Sequence, residues 1–253
     1  MKIQYCSDLH LEFPQNWNWL KRNPLIPKGD ILIIAGDTFH LGRHFKDHPF
    51  FEQVSKDFDQ VFLIPGNHEF YGGFDAEICL ETDYEYQVKS NVFLVNNTTR
   101  ILHDTKLIFT TLWSKIEKEV HAILAGMNDF KLIQFKNRRL TIESYNELFQ
   151  TSWQWLQKEI STSDGLKTIV ATHHLPSLQC NVPEFMGSLL NEGFCVDLTD
   201  EIAKSQVDYW IYGHSHRNKP PFKIDGTEML SNQLGYVFVR EGIDFDRERM
   251  VGV

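Results

Sequence analysis

The chain has 253 residues, 42% of them hydrophobic and 13% aromatic, enough apolar material for one sizeable α/β core. Its formal net charge of −9 supplies no broad field for polyanions, so duplex DNA or RNA is a poor partner. The four cysteines, Cys6, Cys79, Cys180 and Cys195, form no CxxC pair and are too few for a disulfide scaffold, which excludes that class and leaves reduced thiols.

Lys2 is followed by the apolar run Ile3–Cys6, which ends at Ser7-Asp8. It offers no secretory signal, and no run in the chain approaches a membrane span, so a cytoplasmic location is expected. The run reads as a short buried strand, and Asp8-Leu9-His10 follows it. Ile31–Ala35 is the most apolar strand and runs into Gly36-Asp37. A helix is predicted over Asp47–Phe58, then a strand over Val61–Pro65 that ends in Gly66-Asn67-His68-Glu69. A second helix is predicted over Asp75–Val88, after a loop at Gly72-Gly73, and strands over Asn91–Asn96 and Lys106–Trp113.

Ser114–Leu140 breaks the strand–helix rhythm. Insertions of this kind often border an active site. Here Asn128, Arg138 and Arg139 are candidates for substrate contact, against the plainer reading of Lys136, Arg138 and Arg139 as solvated surface charges. Thr141–Ile160 is the clearest helix. Thr141 suits an N-cap, Glu143 suits the positive end of the helix dipole, and Ile142, Tyr145, Phe149, Trp153, Leu156 and Ile160 share one face. Strands over Thr168–Ala171 and Tyr209–Tyr212 lead into His173-His174 and Gly213-His214-Ser215-His216. Thr227–Ser231 and Gly235–Arg240 read as antiparallel strands joined by Asn232-Gln233-Leu234, and Glu241–Arg249 as a loop before a last strand, Met250–Val253. Strands alternating with amphipathic stretches imply a layered α/β fold, one domain over residues 1–253 with an irregular insertion at about 114–140.

Five polar clusters thus each follow an apolar strand. In an open α/β sheet, ligands collect beyond the carboxyl ends of strands, so the clusters should converge on one crevice. Carboxylate, imidazole and Asn carbonyl together make a mixed N/O donor set, suited to Mn²⁺, Fe or Zn²⁺. Asp8 and His10, two apart, project to the same side if the chain stays extended. Asp37 at the end of the most apolar strand needs a strong counter-ion, and its second oxygen can bridge a second metal. Gly36, Gly66 and Gly213 let the backbone turn tightly beside these residues. Singly, an Asp-x-His or a Gly-Asp is more often a turn than a ligand pair, and His173-His174 alone fits a helix or turn. The conjunction, in order and each after a buried strand, points to a two-metal site.

In this conjunction the chain resembles the calcineurin-like metallophosphoesterase superfamily, whose blocks are D-x-H, G-D, G-N-H-[ED], a late His and G-H-x-H. All five are present between Asp8 and His216. Small bacterial members with a start like Ser7–Glu12 and a block like Thr111–Ser114 are the most similar. The resemblance implies a layered α-β-β-α sandwich with mixed sheets and two divalent ions per chain at the strand carboxyl ends. By motif, Asp8, His10 and His216 would hold the first ion, Asp37 would bridge, and Asn67, His173 and His214 would hold the second. His68 would be the catalytic proton donor, with a metal-bridging hydroxide as nucleophile, and His174 is the ambiguous neighbour of His173. The phosphatase branch of the superfamily extends its blocks to G-D-x-x-D-R-G and R-G-N-H-E. Here the stretches are Gly36–Gly42 and Pro65–Glu69, and those phosphate-gripping arginines are absent. The leading expectation is a small-molecule phosphodiesterase, with a phosphomonoesterase or a nuclease as alternatives and a non-catalytic metal-supported scaffold behind them. The expected partner is a small phosphoester. Nothing in the chain points to one oligomeric state.

Overall fold

The computed structural model describes residues 1–42, 44–162 and 165–253. In chain order its strands are β1 (Lys2–Cys6), β2 (Ile31–Ala35), β3 (Gln60–Ile64), β4 (Tyr84–Lys89), β5 (Val92–Asn96), β6 (Thr98–Leu102), β7 (Thr105–Thr110), β8 (Gln134–Phe135), β9 (Arg138–Arg139), β10 (Lys167–Thr172), β11 (Tyr209–Ile211), β12 (Phe222–Ile224), β13 (Thr227–Leu230) and β14 (Met250–Gly252). The helices are α1 (Pro14–Arg22), α2 (Pro49–Asp57), α3 (Val120–Gly126), α4 (Asp129–Leu132), α5 (Ile142–Ser161) and α6 (Thr199–Lys204). One six-stranded sheet runs β14-β1-β2-β3-β5-β4 and the other β12-β13-β11-β10-β7-β6. In the first, β1, β2, β3 and β5 are parallel. In the second, β7, β10, β11 and β13 are parallel. Antiparallel strands close all four edges.

The two sheets share one apolar layer. Ile3, Tyr5, Ile31, Ile33, Phe62 and Ile64 from the first meet Leu107, Phe109, Ile169 and Ile211 from the second. The alternate residues Leu32, Ile34, Val61 and Leu63 face outward into a larger apolar cluster that includes Phe50, Phe51 and Val54 of α2. Strands covered on both faces read as continuous apolar runs rather than alternating ones, which is why Ile31–Ala35 carries no polar residue. Each fully buried Ile or Leu contributes about 1.5–3 kcal/mol relative to exposure. On the other side, α5 lays Tyr145, Leu148, Phe149, Leu156 and Ile160 inward and begins with a capping box between Thr141 and Ser144. The result is an α-β-β-α sandwich. The chain passes from the first sheet to the second between β5 and β6, at Asn97, whose φ is +46°.

Two predicted elements take another form. Asp75–Val88 is not a helix. Asp75 caps a short 3-10 turn over Ala76–Leu80 that ends at the extended Glu81, the left-handed Asp83 (φ +55°) follows, and Tyr84–Lys89 becomes the edge strand β4 paired with β5. Gly235–Arg240 is not a strand either. The antiparallel partner of β13 is β12, which precedes it through a turn at Asp225-Gly226, whereas Gly235–Arg240 loops back over the strand ends. The strand predicted to reach Trp113 stops at Thr110, because Leu112 and Trp113 are left-handed (φ +68° and +61°). The stretch 114–140 holds α3, α4 and the β8–β9 hairpin. All four cysteines are free and buried. Among the described residues, no helix is long and apolar enough to cross a membrane.

Candidate metal centre

The five clusters meet at the carboxyl ends of β1, β2, β3, β10 and β11. Asp8 and His10 reach the site by a route that differs from the extended chain expected. The strand ends at Cys6, and both residues are left-handed, with φ of +56° and +47°. Asp37, His214 and His216 are left-handed as well (φ +54°, +75° and +53°). Non-glycine residues in this region are uncommon and cost on the order of 1–3 kcal/mol each, so they persist where the surroundings over-determine them. The motif glycines serve mainly to make room. A Cβ on Gly66 would stand 2.2 Å from Asp37 Oδ1, and one on Gly213 would stand 2.7 Å from Asp8 Oδ2. Of these three, Gly36 alone combines a positive φ (+88°) with such crowding, 2.3 Å from His173 Nδ1.

Among the described residues three groups of possible ligand atoms gather; besides His10, Glu12 and His68 there are two that share Asp37. One contains Asp8, His10, Asp37 and His216, and the other Asp37, His173 and His214, with the chosen atoms of each within 4.8 Å of one another. In the first, His10 Nδ1 donates to Glu12 Oε1 at 3.0 Å and His216 Nδ1 donates to Glu241 Oε2 at 2.8 Å. Their Nε2 atoms then face each other at 2.8 Å. Asp37 Oδ2 lies 3.7 Å from His10 Nε2, and Asp8 Oδ1 lies 3.5 Å from His216 Nε2. Asp8 is aimed by Ser7 Oγ at 2.5 Å and by the backbone N–H of His214 at 3.0 Å.

In the second group His173 Nδ1 donates to Ala35 O at 2.9 Å, which leaves a bare lone pair on Nε2. That lone pair faces Asn67 Oδ1 at 3.2 Å, Asp37 Oδ1 at 3.4 Å and His214 Nδ1 at 3.0 Å. Both N–H donors of Asn67 are spent elsewhere, on Tyr71 OH at 3.0 Å and Asp129 Oδ1 at 2.9 Å, so its carbonyl oxygen points inward. Burial, reinforced by neighbouring imidazoles, pushes His173 and His214 well below the ordinary histidine range. Burial also pushes His10 down, to about 3. These rings are neutral. The ring nitrogens of His10, His216 and His173 therefore converge with the oxygens of Asp37, Asp8 and Asn67, an arrangement that a cation satisfies. Asp37 is fully enclosed, and burial with the charges of Glu69 and Asp8 raises it well above the carboxylate range, the mark of a carboxylate awaiting a cation. The donor set fits divalent metal ions.

His68 stands beside both groups. Its backbone N–H donates to Asp37 Oδ1 at 2.9 Å, its Nδ1 meets Glu12 Oε1 at 2.9 Å, and its Nε2 meets Tyr236 OH at 3.2 Å. One oxygen of Glu12 thus serves two imidazoles. Burial works to raise Glu12, but the hydrogen bonds from His10 and His68 outweigh it and hold the carboxyl well below its usual range. Glu69 has a different task. Its carboxylate accepts from the backbone N–H groups of Asp37 (3.0 Å), Thr38 (2.7 Å) and Gly66 (2.7 Å), fastening the β2 and β3 loops together. Burial pushes it up to about 7 against those donors. His174 turns away from the donor groups. Its Nε2 meets Tyr145 OH at 3.2 Å, and its ring packs 4.2 Å from that of His214.

Above the site opens a cleft of about 350 Å³. Asp37, Asn67, His68, His214, His216 and Tyr236 line its floor. Met127, Leu175, Phe185, Leu190 and Phe194 form an apolar wall, interleaved with the neutral polar residues Asn128, Asn181, Ser188 and Asn191. No Lys or Arg is among the described residues that line it. Asn128 reaches the cleft, as anticipated. Arg138 and Arg139 do not; both are exposed on β9, and Arg139 donates to Lys131 O. Sequence reasoning assigned no role to Glu12, Tyr71, Asp129, Tyr236 or Glu241. Of these only Glu12, two residues past His10, carried a local signal.

The sequence model of the calcineurin-like phosphoesterase family matches residues 1–218. An uncharacterized protein of Acanthamoeba polyphaga mimivirus is 31% identical over 273 aligned positions, covering 96% of this chain and 94% of that protein. The crystal structure of phosphopantetheinyl hydrolase from Mycobacterium tuberculosis superposes with a TM-score of 0.74 over 99% of this chain and 95% of that one, at 16% identity, a likeness of fold. With the motif blocks intact and their donor atoms drawn together at the strand ends, the chain belongs to the calcineurin-like phosphoesterase family, metal-dependent hydrolases of phosphoester bonds.

Proposed function

We propose that this chain is a dinuclear phosphodiesterase acting on a small phosphoester. The observation that carries the reading is the pair of donor groups sharing Asp37 under one cleft. Asp8, His10, Asp37 and His216 would hold one divalent ion, and Asp37, Asn67, His173 and His214 the other. The mixed N/O donors suit Mn, Fe or Zn. Bound ions supply Lewis acidity toward the phosphoryl oxygens and lower the pKa of water at neutral pH. His68 is the catalytic residue. Its Nδ1 is fixed by Glu12, so Nε2 is the nitrogen that presents a proton to the leaving oxygen from the cleft floor. Tyr236 OH, at 3.2 Å, keeps that nitrogen aimed while no substrate is bound.

Diester preference rests on charge. A monoester dianion brings one more negative charge than a diester, and the described cleft wall offers no Lys or Arg to meet it. The same absence, with the net charge of −9, weighs against a nuclease. Buried free thiols fit a reducing compartment such as the cytoplasm. The test is elemental analysis of reconstituted protein alongside hydrolysis of bis-p-nitrophenyl phosphate and p-nitrophenyl phosphate. Two metal equivalents, both weakened by Asp37→Ala, and a higher kcat/KM on the diester are expected. A phosphopantetheinyl compound belongs in the wider substrate panel, after the name of the fold neighbour. A higher kcat/KM on the monoester would transfer the assignment to phosphomonoesterase, and a single metal untouched by Asp37→Ala would end the dinuclear reading.

A further inference from the structure

We propose that Asp129 is the positioning residue of the second metal site, setting which end of the Asn67 amide faces the ion. The inference rests on the dinuclear reading above. An asparagine amide has two faces of opposite polarity, and only its oxygen can ligate a cation. Rotation by half a turn would aim N–H groups at the His173 Nε2 that Asn67 Oδ1 now faces, and the site would be lost. Nothing in Asn67 itself prevents that rotation. The restraint comes from Asp129, whose Oδ1 accepts from Asn67 Nδ2 at 2.9 Å and from Tyr71 OH at 2.5 Å. Tyr71 OH in turn stands 3.0 Å from Asn67 Nδ2. The amide nitrogen is held between two acceptors, one of them a carboxylate, and bonds to a charged acceptor are about twice as strong as neutral ones.

The placement of Asp129 is costly, which argues that it does something. The residue is 1% exposed, and its Oδ2 is buried with no hydrogen-bond partner among the described residues. It opens α4, in a stretch separated from Asn67 by more than sixty positions of chain. A buried acceptor left half-satisfied destabilises a fold by about 1–3 kcal/mol. An apolar side chain would pack there without that penalty. The carboxylate is thus poorly explained by stability and well explained by the amide it orients. It also gives the irregular 114–140 stretch a definite task at the metal centre, through one hydrogen bond rather than through substrate.

The test compares Asp129→Leu with Asp129→Asn. Leucine keeps the branched shape and removes the acceptor, whereas asparagine keeps an oxygen that can accept from Asn67 Nδ2. Metal-free proteins are dialysed to equilibrium against a series of Mn²⁺ concentrations, and bound metal is counted. Losing a partner that orients a ligand typically weakens metal binding by about 10–100-fold. Asp129→Leu should therefore hold one Mn²⁺ with wild-type affinity and the second about 10–100-fold more weakly, and Asp129→Asn should recover most of the second site. In an Asn67→Ala background, Asp129→Leu should add no further loss, since the amide it orients is gone. An Asp129→Leu protein with two wild-type sites overturns the proposal, as does an equal loss in the Leu and Asn variants. Should Asp129→Leu fail to fold, Asp129→Ala, which also removes the acceptor, takes its place: two wild-type sites in that variant, or a further second-site loss when it is added to Asn67→Ala, also overturns the proposal. Fewer than two sites in the wild type would instead sink the dinuclear reading beneath it.

Discussion

At the residue scale the site is a set of ligand-like atoms, each held by a partner from elsewhere in the chain. His68 makes the sharpest case. It touches the cleft, takes its orientation from Glu12, and contributes only its backbone N–H to Asp37. His68→Ala should keep both metals while turnover falls by about 10²–10⁴-fold, most steeply for esters with poor leaving groups. Metal counting beside a leaving-group series checks this, and loss of metal at unchanged turnover per bound pair would make His68 a ligand. The residues expected to bind metal were legible because each sits in a short motif after an apolar run. Their partners were not. Glu241 reaches His216 from a segment that reads as a charged loop, and Tyr236 reaches His68 across 168 positions. Asp129 sits in an irregular stretch with no motif of its own. A single sequence carries no mark of contacts made at that distance. Even the glycines were legible for an incomplete reason, since at Gly66 and Gly213 it is the missing Cβ rather than the turn that matters.

At the scale of elements, the Glu69 side chain makes several of the links between the loops after β2 and β3. Glu69 accepts from the backbone N–H groups of Asp37, Thr38 and Gly66. Removing it leaves those buried donors unpaired, at about 1–3 kcal/mol each. Glu69→Ala should destabilise the metal-free protein by about 3 kcal/mol or more in urea denaturation, and should also weaken metal binding, because Asp37 lies in one of the two loops. Glu69→Gln, which keeps an acceptor oxygen, should lose much less. Equal stability of Glu69→Ala and wild type would show that water reaches those donors. Elements whose shape is set locally were read well: α5 has its capping box and its apolar face, and β2 its unbroken Ile and Leu run. Elements shaped by a distant partner were not. Tyr84–Lys89 is a strand because β5 lies alongside it. The Gly235–Arg240 segment leaves the sheet because Asn232 Nδ2 is drawn to Tyr5 O and Asp246 O, and Gln233 to the loop around His216.

At the scale of the whole molecule, the donors are divided between the two sheets. The first sheet sends Asp8, His10, Asp37 and Asn67 from β1, β2 and β3, and the second sends His173, His214 and His216 from β10 and β11. Each ion would therefore clamp one sheet to the other. Metal at a hundredfold excess over its Kd stabilises the folded state by about 2.7 kcal/mol per site, and 1 kcal/mol moves the Tm of a chain this size by about 2–4 °C. Stripping both ions with a chelator should lower Tm by roughly 10–20 °C on those figures, reversibly on adding Mn²⁺. A scanning calorimetry trace unmoved by verified metal removal would show that the sheets need no clamp. The sandwich was legible from the order of strands and motifs, whereas the pairing of the edge strands β4, β6 and β12 was not. The clamp also changes what kind of polymer the chain is. Asp8 lies near its start and His216 is the last of the donors, and they meet in one group. With that group closed by an ion, everything between them is a macrocycle, and only the two tails outside it can fray without opening a coordinate bond. Those tails are β1, which pairs with β14, and the stretch after His216 that carries β12, β13, Tyr236 and Glu241. Partial unfolding that begins in the tails would take Tyr236 from His68 and Glu241 from His216 while the ions stay in place.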